Sequence, residues 1–206
     1  MTDQINIIHD SNDFFKKYKL NDILIKKSII NKNDYNYLIK YTNNPKFLIN
    51  LSTNDINIYP LNDVFLILLI NKLLIEDFIK FYKEYFNSAY LKLMIQHILF
   101  TNILKEDKNT TILNKEIIPS IKNLFFENNK KISFKMFSNT TNYNNVKIYI
   151  NNSTKIEITL EQFKKEYKNF KNIQISFILS DILIYEENNK IKYSQDKIIT
   201  EIILNN

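Results

Sequence analysis

The stretch VKIYINNSTKIEITLEQF, residues 146–163, reads in order as a strand, a turn, a second strand and the start of a helix. Its VKIYI and KIEIT segments alternate apolar and polar side chains, which is typical of half-buried strands. Thr159 and Gln162 then form the T-x-x-Q pattern of a capping box, so we expect a helix to begin after Thr159. Strands and a helix within one short segment indicate an α+β fold.

The turn between these two strands contains no glycine, and the whole 206-residue chain has none. Glycine usually occupies tight turns because it adopts positive φ without steric cost. Asn tolerates this region best among the other residues, so we expect pairs such as Asn151–Asn152 and Asn188–Asn189 to form the turns. The absence of glycine also excludes the P-loop, dinucleotide and kinase phosphate-binding loops, and it weighs against a nucleophile elbow.

The composition tells more about the gene than about the function. Arg, Cys, Gly and Trp are absent, and Ile, Asn and Lys together make up almost half of the chain. These favoured residues have AT-rich codons, so we expect a very AT-rich genome, such as that of a large DNA virus, a plasmid or an organelle. Without cysteine, the chain cannot form disulfides, thiolate metal sites or a thiol nucleophile.

Outward from residues 146–163, the chain divides into two parts that we expect to pack together as one compact unit. Residues 1–127 are predicted to be mainly α-helical, and residues 131–206 to be α+β, with β-hairpins in a mixed, largely antiparallel sheet. In the first part we expect helices near residues 11–18, 33–41, 62–74, 76–86, 89–104 and 115–126 and a strand over 55–59, while 22–31 fits either a helix or a strand. In the second part we expect strands over residues 132–137, 146–150, 155–159 and 172–179, a hairpin over 181–194, and a last helix over 195–204.

The longest apolar run extends from Val64 to Ile75 and is interrupted by Asn71 and Lys72. It is shorter than the roughly 20 apolar residues that span a bilayer, so we interpret it as a buried core helix. The first residues of the chain are acidic and lack a long apolar core, so we expect no secretory signal and an intracellular location, cytoplasmic or organellar.

The candidate catalytic and metal-binding residues all have a simpler structural interpretation. His9 and His97 are the only histidines; we expect His9 at the surface or in a helix cap, and His97 partly buried in a helix. The pair Glu76–Asp77 suits the first turn of a helix, where the helix dipole favours negative charge. We therefore assign no catalytic, cofactor-binding or metal-binding residues from the sequence, and no cofactor.

A metal-dependent nuclease remains conceivable from Asp181 with Glu186 or Glu187, followed by Lys190 or Lys192. No strict motif supports it, and a hairpin with solvated charges explains the same residues. The aromatic residues of FIKFYKEYF (78–86) and FKKEYKNF (163–170) could stack on bases beside lysine. At helical spacing, however, aromatics and lysines fall on opposite sides, which is typical of an amphipathic helix.

The net charge of +6 comes entirely from lysine and is spread evenly along the chain. Nucleic-acid binding favours clustered charge and usually arginine, so an even distribution weighs against it. The sequence therefore favours a non-enzymatic protein that binds another protein or a multi-subunit assembly, as a subunit, adaptor or host-directed factor. The alternative is a lysine-based nucleic-acid-binding accessory factor, and an unusual enzyme is the third hypothesis.

Overall fold

A computed structural model of the chain describes residues 23–27, 37–41, 46–60, 65–105, 114–120, 125–126, 130–137, 146–151 and 154–206. Within these ranges the chain forms one β-sheet of nine strands and one of five, with three α-helices. The strands are β1 (Ile23–Lys27), β2 (Tyr37–Tyr41), β3 (Lys46–Ser52), β4 (Ile56–Pro60), β5 (Phe65–Asn71), β6 (Ile117–Pro119), β7 (Phe125–Phe126), β8 (Lys131–Phe137), β9 (Lys147–Asn151), β10 (Lys155–Glu157), β11 (Asn172–Leu179), β12 (Ile182–Glu187), β13 (Lys190–Ser194) and β14 (Lys197–Asn205). The α-helices are α1 (Glu76–Asn87), α2 (Ala89–Lys105) and α3 (Leu160–Glu166), and the 3₁₀ helices include η1 (Thr53–Asp55), η2 (Lys72–Ile75) and η3 (Tyr167–Asn169).

Strand β14 is the centre of the larger sheet. Along one edge it pairs antiparallel with β11, which in turn pairs with β3. Along its other edge, β14 pairs in parallel with two strands, with β8 at Ile198 and with β9 over residues 201–205. From β8 the sheet continues through β5 to β4, and from β9 it continues to β10. Three of its four isoleucines, Ile198, Ile199 and Ile202, are buried, which accords with its central position in the sheet.

In the larger sheet, one path of neighbouring strands begins and ends with strands that are adjacent in the amino-acid sequence. The path β3–β11–β14–β8–β5–β4 begins and ends with two strands that only η1 separates in the sequence. Ser52 caps η1 by accepting a hydrogen bond from the Asn54 backbone N–H at 3.3 Å. This corner brings the end of β3 next to the ends of β11 and β14.

The smaller sheet contains β1, β2, β12, β13 and β6 in that spatial order. Its centre is the β12–β13 hairpin, whose turn residues Asn188 and Asn189 have φ of 52° and 59°. Both values lie in the left-handed region, where asparagine is the best substitute for glycine. The prediction that asparagine takes over the turns in this glycine-free chain is confirmed at this hairpin.

The helices α1 and α2 follow β5 directly and supply much of the core. Ser88 separates them: its backbone N–H donates to Tyr85 O at 3.2 Å, and its Oγ accepts from the Leu91 N–H at 3.3 Å. The same serine therefore ends α1 and caps α2. The core residues of α1 are Ile79, Tyr82, Tyr85 and Phe86, and those of α2 are Leu91, Met94, Ile95, Ile98 and Leu99.

The predicted fold class is wrong in its first part. Residues 1–127 are not mainly α-helical, because their described portion contains seven strands beside α1 and α2. The decisive error is the apolar run predicted as a core helix, because its described residues 65–75 form β5 and η2. Strand β5 pairs with both β4 and β8, and the side chains of residues 67–70 are all buried, so both of its faces are covered by other parts of the protein. Such a run has no period of two, so periodicity cannot distinguish it from a buried helix.

Three other predicted helices are also strands. Residues 33–41 contain β2, residues 115–126 contain β6 and β7, and residues 195–204 contain most of β14. In β14 the apolar pattern is irregular, because the register against β11 shifts by one residue at Thr200. The period of two is lost at this bulge, and the remaining spacing of isoleucines resembles that of a helix.

The remaining elements that could be checked agree with the sequence. The predicted strands over 55–59, 132–137, 146–150, 155–159 and 172–179 correspond to β4, β8, β9, β10 and β11, and 181–194 forms the predicted hairpin. Thr159 caps α3 in a capping box with Gln162, as predicted. The helix expected near residues 11–18 lies outside the described residues. Among the helices of the described ranges, none is long and apolar enough to cross a membrane.

Candidate functional site

The inner face of α1 connects the two sheets through aromatic contacts. Phe78 lies edge-on against Phe177 of the larger sheet, with ring centroids 5.0 Å apart. At the other end of the helix, Phe86 packs against Tyr193 of the smaller sheet at 4.8 Å, and the Tyr193 hydroxyl donates to Phe86 O. Burial raises the pKa of Tyr193, which keeps this hydroxyl protonated as a donor. Tyr82, Tyr85 and Phe86 of FIKFYKEYF are therefore core residues, and Phe78 packs against them, as their helical spacing predicts.

Helix α2 differs from α1 because its outer face is also apolar. Leu93 is 63% exposed and Phe100 is 49% exposed, although the opposite side of α2 is fully buried. These two residues are seven positions apart, which places them on the same face about 10 Å apart along the helix axis. Gln96 and His97 lie between them and are exposed. We call Leu93, Gln96, His97 and Phe100 the α2 face.

The α2 face carries no formal charge when His97 is neutral, and the described residues of α2 include no acid. A helix of a globular protein normally turns charged or polar residues to water, and the exposed Leu93 and Phe100 depart from this pattern. The prediction that His97 is partly buried is wrong, because its neighbours Met94 and Ile98 point inward and leave it outside. His9 lies outside the described residues.

The lysines in the described ranges are interleaved with acids. Ion pairs join Lys115 to Glu186, Lys135 to Asp196, Lys155 to Glu201, Lys164 to Glu161, Lys190 to Glu116, and Lys192 to Glu187. The hydrogen bond and charge of Lys190 lower the pKa of the Glu116 carboxyl. Each of these six pairs neutralises charge locally, whereas nucleic acids are bound by lysines clustered on one surface.

The residues weighed for a metal-dependent nuclease do not come together as a metal site. Glu186 and Glu187 pair with Lys115 and Lys192, which lie on different sides of the hairpin strand. Across the described part of the chain, no group of three or more His, Asp or Glu side chains is placed to bind one metal ion. Glu76 lies in the first turn of α1, as its helix-start interpretation predicts.

One charged residue is deeply buried, and sequence reasoning did not single it out. Lys197, the first residue of β14, is 2% exposed, and its Nζ lies 5.3 Å from the centre of the Tyr82 ring. The Tyr82 hydroxyl donates to Gln195 O at 3.3 Å, so this tyrosine contacts the start of β14 twice. In the helix that the sequence predicts over residues 195–204, Lys197 lies on the polar side. Correct strand assignment, with inward residues at every second position, would have identified it.

Burial lowers the pKa of Lys197 from 10.5 to about 8, while the Asp196 carboxylate opposes this shift and the Lys135 ammonium adds to it. The Asp196 carboxylate is itself paired with Lys135 Nζ at 2.6 Å. A buried amine with a lowered pKa is a feature of some catalytic sites, but Lys197 does not line the polar cleft described below, and its Nζ lies against the core residue Tyr82. We therefore treat Lys197 as a feature of the core.

A polar cleft lies where β3, β11 and β14 end beside η1 and η2. Its volume is about 370 Å³, and Leu51 and Ile173 contribute to its lining from the buried side of the sheet. The other lining residues are polar or at the rim: Asn50, Ser52, Asp55, Leu74, Asn172 and Asn205. No sequence pattern predicts this cleft, because asparagine is common throughout the chain and the lining residues come from five separate elements.

Comparison with known proteins adds no family to this description. No protein-family model matches the sequence, and neither the curated proteins nor the solved structures contain a similar chain. The functional argument therefore rests on the α2 face, on the distribution of charge and on the polar cleft.

Proposed function

We propose that this chain is a non-enzymatic protein that acts by binding another protein, as a subunit, adaptor or host-directed factor. The observation that carries the proposal is the α2 face, where Leu93 and Phe100 are exposed on a helix whose opposite side is already packed into the core. Exposed apolar side chains on one helical face are typical of helix-mediated recognition, in which residues at spacings of three, four and seven contact the partner. The proposal keeps the expectations of an AT-rich genome and an intracellular location.

Charge supports a protein partner over a nucleic acid. The α2 face has no lysine, and six lysines elsewhere in the described residues pair with carboxylates. A nucleic-acid surface would instead present unpaired lysines along one groove or face. An uncharged, partly aromatic face suits the desolvated centre of a protein–protein interface.

The test is affinity capture of the tagged full chain from cells of its source organism, with and without nuclease, followed by mass spectrometry. We expect at least one stoichiometric protein partner that survives nuclease. The double variant Leu93→Lys/Phe100→Lys should lose this partner, since two ammonium groups at the centre of an apolar interface cannot be desolvated cheaply.

The matched control is Thr154→Lys/Asn169→Lys, which adds the same charge at two exposed positions that lie outside α2 and the β6 segment next to it. It should retain the partner. Loss of the partner in both double variants would show that added charge, not the α2 face, is responsible. Recovery of nucleic acid alone, or loss of every partner after nuclease treatment, would overturn the proposal in favour of the lysine-based nucleic-acid factor.

A further inference from the structure

We propose that the polar cleft at the end of the larger sheet binds a neutral polyhydroxylated ligand, such as the ring of a sugar. Its lining residues are different from those of the α2 face, so this proposal and the proposed function succeed or fail independently. The argument rests on the arrangement of polar side chains, on their remaining hydrogen-bonding capacity, and on the charge of the cleft.

The polar side chains form an ordered array because of the strand register. Asn172 of β11 is paired with Ser52 of β3 on one side and with Asn205 of β14 on the other. Directly paired residues project to the same face of a sheet, so these three side chains form one row across three strands. Asn50 lies two residues before Ser52 and projects to the same face in the next row. The row ends beside Asp55 and Leu74, which complete the cleft.

Two of the cleft amides are oriented by neighbours on the sheet. Asn50 Oδ1 accepts a hydrogen bond from Gln174 Nε2 at 3.1 Å, and Asn205 Oδ1 accepts one from Asn151 Nδ2 at 2.9 Å. Because each amide oxygen is engaged in this way, the –NH₂ groups of Asn50 and Asn205 are available as donors. The Asp55 carboxylate can only accept, and the Ser52 hydroxyl still has its proton to donate.

This mixture of donors and acceptors is complementary to hydroxyl groups. Each hydroxyl of a polyol donates one hydrogen bond and accepts others, so it needs both kinds of partner at close range. Leu74 is 47% exposed at the rim and offers an apolar surface for the C–H groups of such a ligand. A volume of about 370 Å³ lies at the low end of the range for small-molecule sites, which suits a single sugar ring bound in a cleft that is open to solvent.

The charge of the cleft argues against other ligand classes. Asp55 is the only charged residue of the lining, so the lining itself repels phosphates and carboxylates, while Lys171, the exposed neighbour of Asn172, lies outside it. No aromatic side chain lines the cleft, so it offers no platform on which a nucleobase could stack. A neutral ligand rich in hydroxyls therefore fits better than an anion or a planar heterocycle.

The test uses saturation-transfer difference NMR on the full chain. The neutral probes are glucose, mannose, N-acetylglucosamine and maltose, and the charged comparators are glucose 6-phosphate and glucosamine. We expect at least one neutral sugar to give a saturable signal. Glucose 6-phosphate should bind more weakly than glucose because of Asp55.

Two variants connect the signal to the cleft. Asn172→Lys fills the middle of the row with a long charged side chain and should abolish binding, whereas Asn114→Lys, at an exposed asparagine outside the cleft, should not. Asp55→Asn removes the carboxylate acceptor and should weaken binding about tenfold, as expected for a charge-assisted hydrogen bond. Glu157→Gln is its control, since Glu157 is exposed and outside the cleft. Far-UV circular dichroism establishes that each variant is folded, and Asp55→Asn carries the test if Asn172→Lys is not.

Three results would overturn the proposal. The first is the absence of a saturable signal from all four neutral sugars. The second is a signal that neither Asn172→Lys nor Asp55→Asn changes. The third is binding of glucosamine alone, which would make the cleft an amine site formed by Asp55.

Discussion

Helices α1 and α2 are adjacent in the chain, and both bury one face in the same core, yet their outer faces differ. The outer face of α1 presents Glu76, Lys80, Lys83 and Glu84 to solvent. The outer face of α2 presents Leu93 and Phe100 instead. Both faces of α1 are in the environment expected for an amphipathic helix, because its apolar face contacts the core and its charged face contacts water. Only the buried face of α2 fits this pattern, and that difference is the basis of the proposed function.

The largest expected effect comes from truncating matched phenylalanines on the two helices. Phe86→Ala on α1 removes a buried ring that contacts Tyr82 and Tyr193, and it should lower the free energy of unfolding by about 3–5 kcal/mol. Phe100→Ala on the outer face of α2 should lower it by no more than about 0.5 kcal/mol. Urea denaturation followed by circular dichroism measures both values.

If Phe86→Ala does not fold, a milder pair of substitutions at the same two positions allows the same comparison. Phe86→Leu keeps most of the buried volume and should still destabilise the chain more than Phe100→Leu. Equal losses of stability at the two positions would show that Phe100 is part of the core, and the α2 face would then cease to be a docking surface.

The second prediction concerns the charge that α1 buries. Lys197→Met should raise the free energy of unfolding at pH 7, by about 3 kcal/mol at most, because it replaces a buried ammonium beside Tyr82 with an apolar side chain. The matched control is Lys80→Met on the exposed face of α1, which should change stability by less than about 0.5 kcal/mol.

The pH dependence of the free energy of unfolding provides a second test of the buried charge at Lys197. Below pH 8, Lys197 is charged in both folded and unfolded chains, and the full cost of burying the charge is present. Between about pH 8 and 10.5 the unfolded chain binds more protons than the folded chain, so the wild-type stability should rise relative to that of Lys197→Met. Denaturation at several pH values measures the difference between the two proteins. A difference that stays constant from pH 7 to 10.5 would contradict a lowered pKa at this site.

The smallest expected effect on stability comes from giving α1 an outer face like that of α2. The double variant Lys80→Leu/Lys83→Leu should change the free energy of unfolding by about 0.5 kcal/mol or less, since both positions are exposed. It should nevertheless increase binding of a hydrophobic dye and should not recruit a second equivalent of the α2 partner. Recruitment of that partner by the new face would show that any apolar helix surface suffices.

The sequence predicts best where the period of two survives and where local capping determines an end. Strand β11 is half-buried with strict alternation, and its predicted bounds of 172–179 match the structure. The capping box at Thr159 and the asparagine turn at Asn188–Asn189 depend only on nearby residues, so they too are predictable. These elements need little information from distant parts of the chain.

Prediction fails where the fold buries a strand on both faces. Strands β5 and β14 each have neighbours along both edges, and core side chains cover both of their faces in part. Ile and Leu runs without alternation then fit a helix equally well, particularly in a chain with almost no valine. The error reverses the fold class of residues 1–127, although the helices α1 and α2 are predicted correctly.

The candidate sites also divide into features that local sequence patterns predict and features that depend on distant parts of the chain. Helical spacing within FIKFYKEYF identifies the inner face of α1, but the exposure of Leu93 and Phe100 depends on which side of α2 meets the sheets. The cleft depends on the register among β3, β11 and β14, which no local pattern specifies. Lys197 became visible only after its segment was known to be a strand.

The central position of β14 has a consequence for how this chain reaches its fold during synthesis. Every other described strand is translated before residues 197–205, yet β8, β9 and β11 all depend on β14 as their common neighbour. The ribosome must therefore release nearly all of these strands before the larger sheet can acquire its centre. Until then, the unpaired edges of β8, β9 and β11 are exposed, and the nascent chain is most open to aggregation and to chaperone binding.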